Sequence, residues 1–163
     1  RAKFDQFLAE QFSLAMQQGK PRSLLLLDID RFKQVNDKHG HQAGDRVLKA
    51  IGKLLASAAR TQDLAARYGG EEMVLVLPGT QRNTAAAVAE SIRRAIAAKP
   101  VVIGDTSLSV TASIGVAAFD PAGPLRRAEH LLKAADSAVY AAKHAGRNCV
   151  RVFAIPAKPK TAA

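Results

Sequence analysis

Tryptophan is absent, tyrosine occurs twice and phenylalanine six times, so aromatic residues fill only 5% of the 163 positions. Single-stranded nucleic acid is held by stacking its bases on aromatic faces. The chain is poorly supplied for that role, and no nucleic-acid partner is expected. Cysteine occurs once, at Cys149, which excludes an internal disulfide. A reducing, cytoplasmic compartment follows, with Cys149 read as a buried structural thiol in a strand. No apolar run approaches the roughly 20 residues that cross a bilayer. Leu24 to Leu27 is too short to be the core of a signal peptide. Acid is scarce too: 14 Asp and Glu stand against 24 Lys and Arg, a formal net charge of +10. That balance favours polyanionic partners such as nucleotides. The first residue is Arg1, not methionine, and the chain is read as a fragment lacking an N-terminal sensor domain. The longer protein, on that reading, has room for a membrane anchor.

What is present is ordinary for one globular domain, with 48% hydrophobic and 23% charged residues. Residues 1–155 are expected to form that domain, and 156–163 a disordered basic tail. Phe4, Phe7, Leu8, Phe12 and Ala15 recur at helical spacing until Gly19. Ser23 to Asp28 reads as a central strand buried on both faces, with Asp28 at its C-terminal end. A short helix with Phe32, Lys33 and Asn36 follows, closed by Gly40, then a longer one from Gln42 to Ala59. Asp63–Tyr68 and Met73–Leu77 flank two glycines and form a hairpin. Asn83 or Thr84 is expected to cap the next helix. Val101–Ile103 and Ser107–Phe119 suggest a second hairpin turning at Gly104-Asp105. Pro124–Ala145 reads as a helix and Asn148–Ile155 as a last strand. Helices mixed with antiparallel hairpins make the fold class α+β around one sheet.

Arg67-Tyr68-Gly69-Gly70-Glu71-Glu72-Met73 organises the chemistry. Glycine reaches positive φ without a steric penalty and leaves backbone N–H groups open to an anion, while the two glutamates can hold a divalent cation. A hairpin with solvated glutamates fits these residues equally well. Asp28 comes from elsewhere in the chain. If its strand neighbours the hairpin, the acids meet at one sheet edge, where repulsion calls for a cation or a proton. The alternative is that Asp28 caps the following helix, for which Asp30 is the better candidate. Lys143 and Arg147, spaced as on one helical face, suit a triphosphate as point charge and fork, or serve simply as complements to the helix dipole. Asn36 and Asp45 carry groups that match a guanine edge, although each alone is an ordinary surface or capping residue.

Taken in order, Asp28-Ile29-Asp30-Arg31-Phe32-Lys33, Asn36-Asp37, Gly40-His41-Gln42-Ala43-Gly44-Asp45, the Gly-Gly-Glu-Glu signature, Ala112-Ser113-Ile114-Gly115, Tyr140-Ala141-Ala142-Lys143 and Gly146-Arg147-Asn148 resemble the GGDEF family of diguanylate cyclases. The resemblance runs from about Arg1 to Phe153. It implies a palm-like, ferredoxin-like or nucleotidyl-cyclase-like fold, with a mostly antiparallel central sheet of about five strands wrapped by helices. It implies that two GTP molecules, one per subunit of a homodimer, condense to cyclic di-GMP and two pyrophosphates.

Site roles come from the same resemblance. Asp28, the Ile29 carbonyl, Glu71 and Glu72 would hold Mg²⁺ or Mn²⁺, two ions per active site, with Glu71, Glu72 and Arg67 at the chemistry. Asn36 and Asp45 would read guanine, Phe32, Lys33, Gly69 and Gly70 would lie beside the nucleotide, and Lys143 and Arg147 would take the phosphates. Arg60-Thr61-Gln62-Asp63 stands five residues before the signature, where the family often carries an inhibitory site for the product. Ser91 occupies the position of a third basic residue that often completes it. Met73 replaces the usual phenylalanine and should be tolerated as a flexible apolar filler. A different class of reading is a catalytically silent module that binds cyclic di-GMP or GTP and signals by interaction.

Overall fold

The computed structural model describes residues 2–154. The ends expected to carry Ile155 and the basic tail from Pro156 lie outside the described residues. In chain order the elements are α1 (Ala2–Gln18), β1 (Arg22–Ile29), α2 (Phe32–His39), α3 (His41–Ala58), β2 (Leu64–Gly69), β3 (Glu72–Pro78) and α4 (Arg82–Ala98). There follow β4 (Val101–Ile103), β5 (Thr106–Leu108), β6 (Ala112–Phe119), α5 (Ala128–His144) and β7 (Val150–Val152).

Every residue of β1 is buried, as an uninterrupted apolar run requires. It occupies the middle of a five-stranded sheet ordered β2-β3-β1-β6-β7. Its neighbours β3 and β6 are antiparallel, and only β7 runs parallel, beside β6. Side chains alternate across the pleat. Leu25, Leu27 and Ile29 therefore meet Val47, Ile51 and Leu55 of α3 and Ala89 and Ile92 of α4. Leu24 and Leu26 face the other way, onto Phe4, Leu8 and Phe12 of α1 and Leu131 and Ala135 of α5. Each such leucine contributes about 2 kcal/mol by leaving water. The even-numbered side of β1, which also carries Asp28, is thus the side covered by α5.

Several boundaries differ from expectation. The strand anticipated over Ser107–Phe119 is divided: β5 pairs with β4 in a separate ribbon, and β6 alone joins the main sheet. Between them Val110 turns into the core, and Thr111 accepts the backbone N–H of Asp30 at 2.9 Å. Helix α4 starts after Gln81, before Asn83 or Thr84 can cap it, and no side chain caps it. Tertiary hydrogen bonds set that start. Ser23 donates to the Thr80 carbonyl at 2.8 Å and Arg60 to the Thr80 hydroxyl at 2.9 Å, so the chain is aimed before Asn83 is reached. Helix α5 starts at Ala128, not Pro124, after a turn in which Asp120 accepts the Ala122 N–H at 2.9 Å. Met73 is 3% exposed in the core, as its replacement of phenylalanine anticipated. Cys149 is half-buried in the bend before β7, with its thiol 3.4 Å from the Ala142 carbonyl.

Candidate active site

The β2–β3 hairpin turns at Gly70 and Glu71, with Gly69 paired to Glu72 and Gly70 in the left-handed region at φ 44°. Arg67 donates from Nε to the Gly70 carbonyl at 2.9 Å and braces the turn. Across the sheet Asp28 stands directly opposite Glu72, and direct partners in an antiparallel pair share a face. Glu71 lies beside them: its carbonyl accepts the Ile29 N–H at 3.4 Å. Residues 28, 29, 71 and 72 therefore meet at one end of β1, as the sequence led one to expect.

Asp28 is 5% exposed, and Lys143, reaching from the last turn of α5, donates to its Oδ2 at 2.7 Å. Burial pushes the Asp28 carboxyl up; Lys143 pulls it down, and the charges of Glu71 and Asp30 push it up again. Glu72 is also raised, first by burial and then by the charges of Asp28 and Asp136. An edge whose acids raise one another is short of positive charge. Among the described residues no group of three or more His, Cys, Asp or Glu side chains is arranged to hold a metal ion. The donor set nonetheless fits Mg²⁺, which is usually bound through one or two carboxylates completed by water and substrate phosphates.

Asn36 and Asp45 sit where α2 turns into α3. The Asn36 Oδ1 is buried and has no hydrogen-bond partner. A Cβ built on Gly44 would overlap that oxygen and stand 3.0 Å from Phe32 Cζ. Gly44 thus leaves the room that the amide oxygen occupies, and Phe32, 8% exposed, is a core residue beside it. Lys33 and Asp45 are exposed.

Two expectations need correction. Lys143 and Arg147 do not share a helical face: α5 ends at His144, and Gly146, Arg147 and Asn148 are left-handed at φ 106°, 65° and 45°. A Schellman-type ending, with the Arg147 N–H bonded to the Ala142 carbonyl at 3.1 Å, turns the chain aside. Arg147 instead lines a groove of about 380 Å³ with Arg31, Gln34, Lys38 and Ser109. Nor does Asp30 cap α2, whose N-cap is Arg31, with no side-chain hydrogen bond. Asp30 is 7% exposed and accepts from Thr111 Oγ1 at 2.7 Å, Ser113 Oγ at 2.6 Å and the Asn148 N–H at 3.0 Å. These partners lie more than 80 residues downstream, so helix-start rules could not disclose them. A buried acid beside polar positions of a core strand was the available signal.

Arg60 and Asp63 form a fork, Nε to Oδ2 at 3.0 Å and Nη2 to Oδ1 at 2.9 Å. The same Nη2 reaches the Pro78 carbonyl at 3.2 Å. Ser91 is exposed on α4. Its basic neighbours Arg93 and Arg94 are both bound to Glu90, at 2.7 and 2.8 Å. A second groove, of about 750 Å³, lies apart from the acids, between α3, the end of α4 and β4, with an aliphatic floor and Arg46, Lys49, Lys53 and Lys99 on its rim.

A mostly antiparallel sheet with acids gathered at the end of its middle strand, and helices on both faces, defines a palm-like nucleotidyl-cyclase fold. The family model described as diguanylate cyclase, GGDEF domain, matches residues 1–149, and the chain belongs to that family. Diguanylate cyclase A of Treponema denticola is 43% identical over 128 residues, 78% of this chain and 34% of that protein. Response regulator PleD of Caulobacter vibrioides is 48% identical over 134 residues, 81% of this chain and 29% of that protein. The chain spans about a third of the length of these curated relatives. Among solved structures, the GGDEF domain of DgcB from Caulobacter crescentus in complex with c-di-GMP is similar with a TM-score of 0.89 and 33% identity, covering 95% of this chain and 88% of that one. No helix among the described residues is long and apolar enough to cross a membrane.

Proposed function

We propose that this domain condenses two GTP molecules into cyclic di-GMP and two pyrophosphates, working as a homodimer that brings one GTP from each subunit. The observation that carries the reading is Asp28 facing Glu72 at the end of the buried central strand, with Lys143 over it. Asp28, the Ile29 carbonyl, Glu71 and Glu72 would hold Mg²⁺ or Mn²⁺, two ions to each site. When bound, the metal would neutralise phosphate charge and favour the alkoxide form of the attacking hydroxyl. Each 3′-hydroxyl oxygen forms a bond to the α-phosphorus of the other GTP as the bond to the β-phosphate oxygen breaks and pyrophosphate leaves. Glu71 would take the hydroxyl proton. Arg67 keeps the turn in shape, so the exposed backbone at Gly69 and Gly70 can approach the nucleotide. Asn36 Oδ1 would accept from the guanine amine and Asp45 from its N1–H and amine, Phe32 walling the pocket and Lys33 lying beside it. Lys143 and Arg147 would then grip the phosphates from two directions, α5 and the loop behind it.

Product feedback fits the Arg60–Asp63 fork. Asp63 fixes Nε and Nη2, leaving the Nη1 edge of the guanidinium to meet a guanine Hoogsteen edge or a phosphate. The domain's setting is proposed to be cytoplasmic, downstream of a sensor domain.

The test is direct. The chain at high concentration, given GTP and Mg²⁺, is expected to yield cyclic di-GMP and pyrophosphate in a 1:2 ratio by chromatography. Glu71→Gln, with an unchanged circular dichroism spectrum, should reduce the rate by at least about a hundredfold. Unchanged turnover by that variant defeats the assignment. GTP binding without product by the unsubstituted chain would favour the silent module instead.

A further inference from the structure

Arg147 stands in a backbone conformation that arginine rarely adopts, and the left-handed run continues through Asn148. Strain of this kind persists only where surrounding contacts impose it, and it gathers at functional sites. Here the contacts can be followed. The Arg147 N–H is tied back to the Ala142 carbonyl at 3.1 Å, and the Asn148 N–H donates to buried Asp30 at 3.0 Å. The Asn148 side chain goes the other way: its Oδ1 accepts from Arg93 Nη1 of α4 at 2.7 Å. Arg93 is itself held in a two-bond fork by Glu90, at 2.8 and 2.7 Å, with its side chain only 17% exposed. Asp30 is fixed in turn by Thr111 and Ser113. The Arg147 and Asn148 N–H groups and the Asn148 Oδ1 are committed, whereas the Arg147 side chain is exposed and makes no hydrogen bond or ion pair among the described residues.

We propose that Arg93, acting through the Asn148 side chain, is a positioning residue that holds the left-handed turn so that Arg147 is presented to the triphosphate. This rests on the diguanylate cyclase reading of the same site. It gives α4 a role in substrate binding although no residue of α4 reaches the acids. It also explains why Arg93 is not available to complete a product site around Arg60: its guanidinium is spent on the turn. Conformations of the turn without this clamp would aim Arg147 variably, and the phosphate contact would be made by only a fraction of molecules.

The experiment measures affinity of the chain for a non-hydrolysable GTP analogue with Mg²⁺ by titration calorimetry. Arg93→Gln and Asn148→Gly are each expected to weaken it about tenfold, as loss of a charge-assisted contact does. Glycine retains the left-handed backbone, so Asn148→Gly separates the side-chain link from strain. Asn148→Asp keeps an acceptor for Arg93 and should bind within about twofold of the parent, where loss of the clamp costs about tenfold. The deciding arm places Arg93→Gln in an Arg147→Ala background. There it should add no further loss, because the clamp has nothing left to aim. A full additional loss in that background, or unaltered affinity in Asn148→Gly, overturns the proposal. Should Arg93→Gln fail to fold, the glycine and aspartate variants at Asn148 decide alone. Failure of the parent chain to bind the analogue at all would instead strike the functional reading, so the two failures are distinguishable.

Discussion

At the scale of single residues, the acids at the end of β1 are held where ionisation is unfavourable. Asp28 and Glu72 both have carboxyls raised above their ordinary values, burial being the first cause in each. A carboxyl raised by folding binds its proton more readily in the native state than in the unfolded one. It therefore subtracts stability as pH rises past its unfolded value, and subtracts nothing well below that value. Glu72→Gln should accordingly raise the thermal midpoint at neutral pH, a gain that fades as pH falls below about 4, where the unfolded carboxyl is itself protonated. The same variant should lose product formation, so a site that costs stability is retained for its chemistry. Melting curves from pH 3 to 7 check the sign; a midpoint lowered throughout would show that the acid stabilises the fold. Gly44 offers a cleaner separation. The atoms nearest to a new Cβ would be those of the Asn36 amide and the Phe32 ring edge, and an amide can rotate away. Gly44→Ala should change stability by less than about 1 kcal/mol but weaken GTP binding about tenfold, the worth of one or two lost hydrogen bonds. Parallel melts and nucleotide titrations read the two effects, and equal affinity would remove Asn36 from guanine recognition.

Gly115 makes the contrasting case at the scale of elements, where β6 lies against α5. A Cβ there would overlap the Ala135 carbonyl and come within 2.6 Å of the Val139 nitrogen, which are backbone atoms of a packed helix. Nothing can rotate out of the way. Gly115→Ala should cost about 2–3 kcal/mol, as overpacking does, read as a lowered denaturant midpoint with unchanged slope. Because α5 also carries Lys143, turnover should fall as well. The same scale shows what the sequence disclosed. The buried run Ser23–Asp28 within β1, the α3 stripe and the glycine turn of the hairpin were legible, since each depends on periodicity or on one residue's backbone freedom. The division of β5 from β6, the start of α4 and the role of Asp30 were not. Each is decided by a hydrogen bond between segments distant in the chain: Asp30 to Thr111, Arg60 to Thr80, Asp30 to Asn148. Arg147 illustrates the limit most plainly: helical spacing put it on α5 with Lys143, but Gly146 ended the helix first. For the candidate site, the meeting of residues 28, 71 and 72 was anticipated because separated motifs stood in order, whereas mutual orientation required coordinates.

For the whole molecule, the governing constraint is that one domain supplies one acidic edge, whereas the proposed reaction would consume two GTP. On that proposal each subunit would bring one GTP, and productive encounters would require a second subunit facing the first. Initial rate per mole of protein should therefore rise with protein concentration and level off only where the dimer predominates. A rate per mole that is constant from nanomolar to micromolar protein, with the chain monomeric by light scattering, would refute the homodimer. Feedback belongs to the same scale, because Arg60 lies at the opposite end of β3 from the acids, beside Pro78 and Thr80. On the proposed reading, product held there would act at a distance from the chemistry, by restraining how two domains approach. Arg60→Ala should leave the initial rate within about twofold, since the guanidinium touches no group of the site, but should let product accumulate well past the level at which the parent chain stalls. Some stability should go with it, about 1 kcal/mol, because Asp63, its side chain only 1% exposed, loses the guanidinium and keeps the backbone N–H of residue 60 at 2.8 Å. Progress curves with added cyclic di-GMP distinguish the outcomes: curves for Arg60→Ala that stall where the parent does would exclude Arg60 from feedback while leaving the chemistry at Asp28 and Glu72 untouched.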